Sequence, residues 1–340
     1  MKNTTSTQTA TRWAGFSRNR IGALAVMAVI FIILALLPTL LPGSYWITRI
    51  SEYMRYGILT ISWVLFSGPT GYMSLATAAF YGLGFYMSAI LNGPVPFPAV
   101  IVISGILAFV VAAGIGALTL RLRGVYFCIF TFAVVLLISN VILEVERLVT
   151  HTRGRFVETE SVSTAFYAML IVFVLTVAAA MYIRRSRYGL ALQSIGEYEE
   201  AAAHSGINVV RTKVILFATS AIFMGMAGAI MATRRSYVDP GIAFSMDTSF
   251  LPVLMAMFGG MGNLVGPVLG AVGFTALKDY LITAYPDLFM LIFGVVLIVA
   301  ILFMPNGILG VAQQGWRYIR RRRAGSGETP TKKGGRRAPA

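Results

Sequence analysis

An all-helical integral membrane protein of about ten transmembrane helices, some of them broken or re-entrant, is the fold class this sequence predicts. Two observations carry it. Of the 340 residues, 57% are hydrophobic and only 12% are charged, more apolar material than the core of a soluble chain takes up. That material is also divided into runs near the 20 or so residues that an α-helix needs to cross a bilayer.

Taken in order, the spans fall near residues 21–41, 46–66, 72–91, 98–120, 125–143, 162–183, 214–233, 248–262, 264–283 and 288–304. Residues 1–20 form a basic tail with Lys2, Arg12, Arg18 and Arg20 and no acid, a signal-like start. No small-x-small cleavage site follows Leu37, so the first span is expected to be retained. The transmembrane domain is read as 21–312, and 313–340 as a basic tail rich in Gly, Pro and Ser. The third and eighth spans contain GPTGYMSLATAAFYGLG and FGGMGNLVGPVLG, with more glycine than a plain membrane helix needs, so breaks or re-entry are expected there. Gly68, Gly71 and Gly82 stand at the same offsets as Gly259, Gly262 and Gly273. That pattern suits either coincidence or an internal repeat.

An even number of spans puts both termini on one side, and the basic residues choose which. With the termini inside, Lys2, Arg12, Arg18, Arg20, Arg121, Arg123, Arg184, Arg185, Arg187, Arg211, Lys213 and nine residues of the tail are cytoplasmic, 20 against 8 outside. Cytoplasmic loops carry the excess of Lys and Arg, so this orientation is expected. Most acids then lie outside: Glu144, Glu146, Glu158, Glu160, Asp239, Asp247 and Asp287. The charged stretch 184–213 becomes an interior cytoplasmic loop.

The net charge of +15 could suggest nucleic acid, but Arg320 to Arg323, Lys332, Lys333, Arg336 and Arg337 fall in the tail, which reads as a solvated cytoplasmic segment. The single cysteine, Cys128, lies in an apolar run and allows no disulfide or CxxC site within the chain. His151 and His204 have no second histidine or cysteine at ligand spacing, so no metal site is expected. Glu52 stands at helical offsets from Arg49 and Arg55, and Asp279 follows Lys278. These charges sit near span ends, where snorkelling is cheap, and read as anchors. No Gly-x-x-x-x-Gly-Lys-Ser/Thr phosphate loop occurs, so any ATP would be used by a partner.

Within the loop, EEAAAHSG gives Glu200, Ala201, Ala202, three residues, then Gly206. This resembles the cytoplasmic E-A-A-x-x-x-G loop of ABC-importer permeases, although the Leu-Pro pair that usually follows is absent. A docking loop of this kind needs a short helix with a small-residue face, here Ala201, Ala202 and Ala203, ended by glycine. GYMSLATAAFYGLGFYMSAIL, LRLRGVYFCIFTFA, GINVVRTK, FGGMGNLVGPVLGA and LFMPNGILG extend the likeness over residues 21–312. Together they resemble the LivM-type permease subunit of branched-chain amino acid ABC importers.

That resemblance implies a multi-pass inner-membrane permease with no catalytic residues and no cofactor of its own. It would form half of a translocation pathway beside a second, related permease subunit. Two ATP-binding subunits using ATP and Mg would dock beneath it, and an extracytoplasmic solute-binding protein would deliver Leu, Ile or Val. The membrane-level glycines suit close packing as well as a pathway or hinge, for which the candidates are Gly71, Ser74, Thr77, Gly82, Gly84, Gly259, Gly260, Gly262, Asn263, Gly266 and Pro267. Where such permeases often carry S-L-G-H-A-A-F, this chain has Ser74, Leu75, Ala76, Thr77, Ala78, Ala79 and Phe80. Urea, short amides and other amino acids therefore stay open as cargo. Two rivals are a scaffold protein and an ion-coupled secondary transporter. The latter would place acidic or polar coupling residues at the midplane, and the spans carry almost none.

Overall fold

The computed structural model describes residues 43–91, 93–122 and 124–286, with scattered residues among 31–38 and 288–295. The chain divides into two compact units, the first ending at Pro252 and the second beginning at Val253.

In the first unit the helices are α1 (Ser44–Thr70), α2 (Thr77–Leu91), α3 (Phe97–Thr119), α4 (Val125–Thr150), α5 (Val162–Arg185), α6 (Arg187–Glu197), α7 (Glu199–His204), α8 (Val209–Ala232) and α9 (Pro240–Ala243). A two-residue ribbon pairs β1 (Arg155–Phe156) with β2 (Tyr237–Val238), antiparallel, with Arg155 opposite Val238. Helix α10 (Met246–Gly259) begins in this unit and continues into the second, where α11 (Val265–Ala284) follows.

Six helical segments among the described residues are long and apolar enough to cross a membrane: 97–119, 125–149, 162–185, 209–232, 240–259 and 265–284. They correspond to six of the ten expected spans. Those expected near 21–41 and 288–304 lie largely outside the described residues. The remaining two are α1 and α2. Helix α1 has 27 residues, about 40 Å at 1.5 Å per residue, but Arg49, Glu52 and Arg55 make its first half polar. Glu52 pairs with Arg55 at 2.6 Å, and the Arg55 guanidinium lies 4.1 Å from the Tyr56 ring centre.

Helix α2 has only 15 residues, because the span expected at 72–91 is broken at its start. The cause is local. Pro69 sits in the last turn of α1, and Gly71 follows with φ 71°, the left-handed conformation that ends helices and that glycine adopts without strain. Residues 71–75 are irregular and helix resumes at Thr77.

Helix α8 is the centre of the first unit, packed against α1, α2 and α3. Its sequence explains this, since Ala218, Ser220, Ala221, Gly225, Ala227, Gly228 and Ala229 present little side-chain bulk. A Cβ on Gly84 would collide with the Gly225 carbonyl, and one on Gly228 with the Tyr81 carbonyl. Helices α2 and α8 thus meet backbone to backbone, the small-residue packing that membranes favour. Near the break, the Phe217 ring meets Phe66, Phe80 and Phe127 at centroid distances of 5.1, 5.4 and 6.2 Å.

Helix α4 runs seven residues past the expected end at 143, because VILEVERLVT keeps the helix going with its charges paired. Glu144 faces Arg147 at 3.6 Å. Glu146, expected in an outer loop, is instead 2% exposed within the helix. In the second unit, Gly259, Gly266 and Gly270 let the two helices touch through backbone, and the Phe258 and Phe274 rings meet edge to face at 5.8 Å.

Candidate functional site

The expected loop 184–213 is almost entirely helical. Helix α6 starts at Ser186, whose Oγ accepts the Gly189 N–H and donates to the Ile183 carbonyl. It buries Gly189, Leu192 and Ile195 and presses on the end of α1 so closely that a Cβ on Gly196 would strike the Pro69 carbonyl. Tyr198 is extended, and α7 follows with Glu199 and Glu200 in its first turn, where acidic side chains complement the helix dipole.

Helix α7 ends as its sequence suggests. Gly206 has φ 83°, its N–H donates to the Ala203 carbonyl at 3.0 Å, and the Ile207 N–H donates to the Ala202 carbonyl at 3.2 Å. This is the Schellman arrangement, which turns the chain sharply and satisfies two terminal carbonyls. Asn208 then caps α8 by accepting the Arg211 N–H at 3.0 Å. Glu200, Ala201, Ala203, His204 and Gly206 are exposed, whereas Ala202 is buried. The small-residue face expected from three alanines is therefore Ala201 and Ala203, and Ala202 packs inward.

The break between α1 and α2 lies against this same end of the unit. Part of its backbone is held by protein: the Leu75 N–H donates to Thr131 Oγ1 at 3.0 Å, the Ala76 N–H to Ser74 Oγ at 3.3 Å, and Trp63 Nε1 to the Ser74 carbonyl at 2.7 Å. Irregular backbone at membrane depth demands such partners. Ser74 and Thr77 are buried, while Gly71 and Met73 are exposed. Among the described residues, Thr77 Oγ1 has no hydrogen-bond partner.

Three residues tie the break to α7. Lys213, 1% exposed, pairs with Glu199 Oε1 at 2.9 Å. Its ammonium also donates to the Tyr72 hydroxyl at 2.9 Å, and that hydroxyl donates to Glu199 Oε2 at 2.9 Å. The ammonium lies 4.3 Å from the Tyr72 ring centre, within cation–π range. Sequence reasoning counted Lys213 only among the cytoplasmic cations. The available signal was its place in VVRTKVILFATS, a lysine followed by an unbroken apolar run, where burial requires a carboxylate partner.

The other candidates divide. Gly82 and Gly84 are packing positions, the first against the Phe244 ring and the second against α8 backbone. Gly259 and Gly266 pack against each other, Gly260 has φ 92°, and Pro267 is buried. Gly262 and Asn263 are exposed at the turn between α10 and α11. The glycines at matching offsets are alike only in part: Gly71 and Gly262 are both open, though only Gly71 has a positive φ, whereas Gly82 abuts Phe244 and Gly273 is open.

Apolar helices of crossing length make this a multi-pass membrane protein, with a helix broken at Gly71 and a short capped helix at one end of its first unit. A family described as the permease component of branched-chain amino acid transport systems matches residues 46–301, and the chain belongs to that family. Among its relatives is the high-affinity branched-chain amino acid transport system permease protein LivM of Escherichia coli K12, 25% identical over 75% of this chain and 68% of the relative. LivH of Salmonella typhimurium is 29% identical over 42% of this chain and 46% of its own length. The xylose transport system permease protein XylH of Haemophilus influenzae is 27% identical over 33% and 31%. No solved structure matches the chain.

Proposed function

We propose that this chain is the LivM-like permease subunit of an ABC importer, forming half of the pathway for branched-chain amino acids and passing the work of ATP hydrolysis into the membrane through α7. A second permease subunit, two ATP-binding subunits and an extracytoplasmic binding protein complete the assembly in the inner membrane, with both termini of this chain cytoplasmic. The observation that carries the reading is α7 itself: a six-residue helix with a carboxylate and two small side chains outward, fixed at its end by Gly206, on a chain whose relatives are transport permeases. Such a knob fits a groove on a soluble subunit. The relatives' names supply the cargo class, and the XylH likeness, confined to a third of the chain, leaves amino acids the better supported choice.

The test uses the chain co-expressed with its ATP-binding subunits. Gly206→Pro imposes φ near −65° where the chain needs +83° and removes the N–H bonded to Ala203, while Glu200→Lys reverses the exposed charge. Both variants should reach the membrane in normal amount, lose bound ATPase subunit and lose substrate-stimulated hydrolysis. Normal assembly and stimulation in both would show that the ATPase docks elsewhere.

A further inference from the structure

We propose that the Lys213–Tyr72–Glu199 triangle is the link through which movement of α7 displaces the broken segment between α1 and α2. The inference rests on α7 being the ATPase contact.

Geometry supplies the argument. Glu199 is the first residue of α7, Tyr72 the second residue of the break, and Lys213 lies in the second turn of α8. Each pair in the triangle is joined at 2.9 Å. Such charge-assisted bonds are short and strong, and the ammonium has almost no access to water, so separating Glu199 from Lys213 would strand a buried charge. The three residues must therefore move together or not at all. Beside them, Gly196 closes on Pro69, so α6 and the end of α1 also shift as one piece.

Motion delivered to Glu199 arrives at Tyr72, one residue beyond the left-handed Gly71, where the backbone can rotate. From there it reaches two places. Trp63 holds the Ser74 carbonyl and Thr131 holds the Leu75 N–H, and the Tyr72 ring stands edge-on to Phe127 at 5.5 Å, which in turn meets Phe217 and Phe66. The break is thus the one irregular piece of α1 and α2 with contacts to α4, α7 and α8 at once. A rigid helix there could transmit only tilt, whereas a hinge fastened to α7 converts a push at the surface into a local change at membrane depth.

The test uses the assembled importer in nanodiscs, with Met73→Cys in a Cys128→Ala background as reporter, because Met73 is 45% exposed on the break itself. In the parent, the rate of thiol labelling should differ between nucleotide-free and ATP-trapped states. Glu199→Gln with Lys213→Met removes both charges and strands neither, so the fold survives. That double variant should keep its ATPase subunits, lose the nucleotide dependence of labelling, and move at least about tenfold less leucine per ATP, within the usual range of coupling between distant sites. Tyr72→Phe, which deletes only the hydroxyl, should fall between. Labelling and transport ratio equal to the parent in the double variant would overturn the proposal, even with α7 docking intact. Loss of ATPase subunit from the double variant would also overturn it, since the triangle would then be part of the dock. If Gly206→Pro and Glu200→Lys both leave assembly and stimulation untouched, it is the docking reading that fails, whatever the triangle does.

Discussion

Tyr86, in α2, donates its hydroxyl to Oε2 of Glu146, in α4, at 3.2 Å, and the same oxygen accepts the Gly154 N–H at 3.0 Å. Arg155 adds an ion pair at 3.3 Å to the other oxygen. Glu146 thereby fastens α2, the turn after α4 and strand β1 to one buried carboxylate, at the end of the unit opposite α7. Glu146→Ala leaves a buried amide and hydroxyl without their acceptor and should lower stability by about 3 kcal/mol. Glu146→Gln keeps an acceptor and should cost less. Thermal unfolding in detergent measures both, and equal melting of parent and Glu146→Ala would contradict the arrangement.

Gly84 and Gly228 mark the seam of α2 and α8, where added Cβ atoms meet backbone rather than yielding side chains. Alanine at either site should therefore force the helices apart and cost about 1–3 kcal/mol, the usual range for overpacking. Gly114 of α3 has nothing within 4 Å of its Cβ position, and Gly114→Ala should be neutral or slightly stabilising. The comparison needs only the melting temperatures of the three single variants.

Much of this fold is written in the sequence at the level where chemistry is local. The apolar runs mark α3, α5, α10 and α11 within a few residues but stop short of the end of α4 and the start of α8 and miss α6 and α7, while Pro69, Gly71 and Gly206 announce a break and a cap that the structure contains. Gly82 and Gly84 could not be read as packing rather than hinge residues, because the atoms that fill their missing side chains come from Phe244 and Gly225, more than a hundred positions away. The same holds for the triangle. Lys213 is visibly misplaced in an apolar run, but its partners are 14 and 141 positions distant, and no helical periodicity connects them. Ala202 shows a smaller gap: the sequence offers three consecutive alanines, and only the turn of α7 decides which of them faces inward.

Orientation is open to direct measurement. Ser194 in α6 is exposed, and Phe156 in the ribbon is 84% exposed. In a Cys128→Ala background, Ser194→Cys should be protected from an impermeant maleimide in intact spheroplasts and Phe156→Cys should react. Labelling of the first and protection of the second would invert the map that the basic residues suggest.

The central claim is that this chain carries amino acids only when ATP is hydrolysed by subunits docked on α7. Its most direct test is uptake of labelled leucine, isoleucine and valine into proteoliposomes containing the chain, its partner permease and the ATP-binding subunits, with the binding protein outside and ATP trapped inside. The account predicts uptake that requires ATP, persists when proton and sodium gradients are collapsed, and is abolished by Gly206→Pro. Uptake that survives without ATP and follows an ion gradient would contradict it and make the chain a secondary transporter.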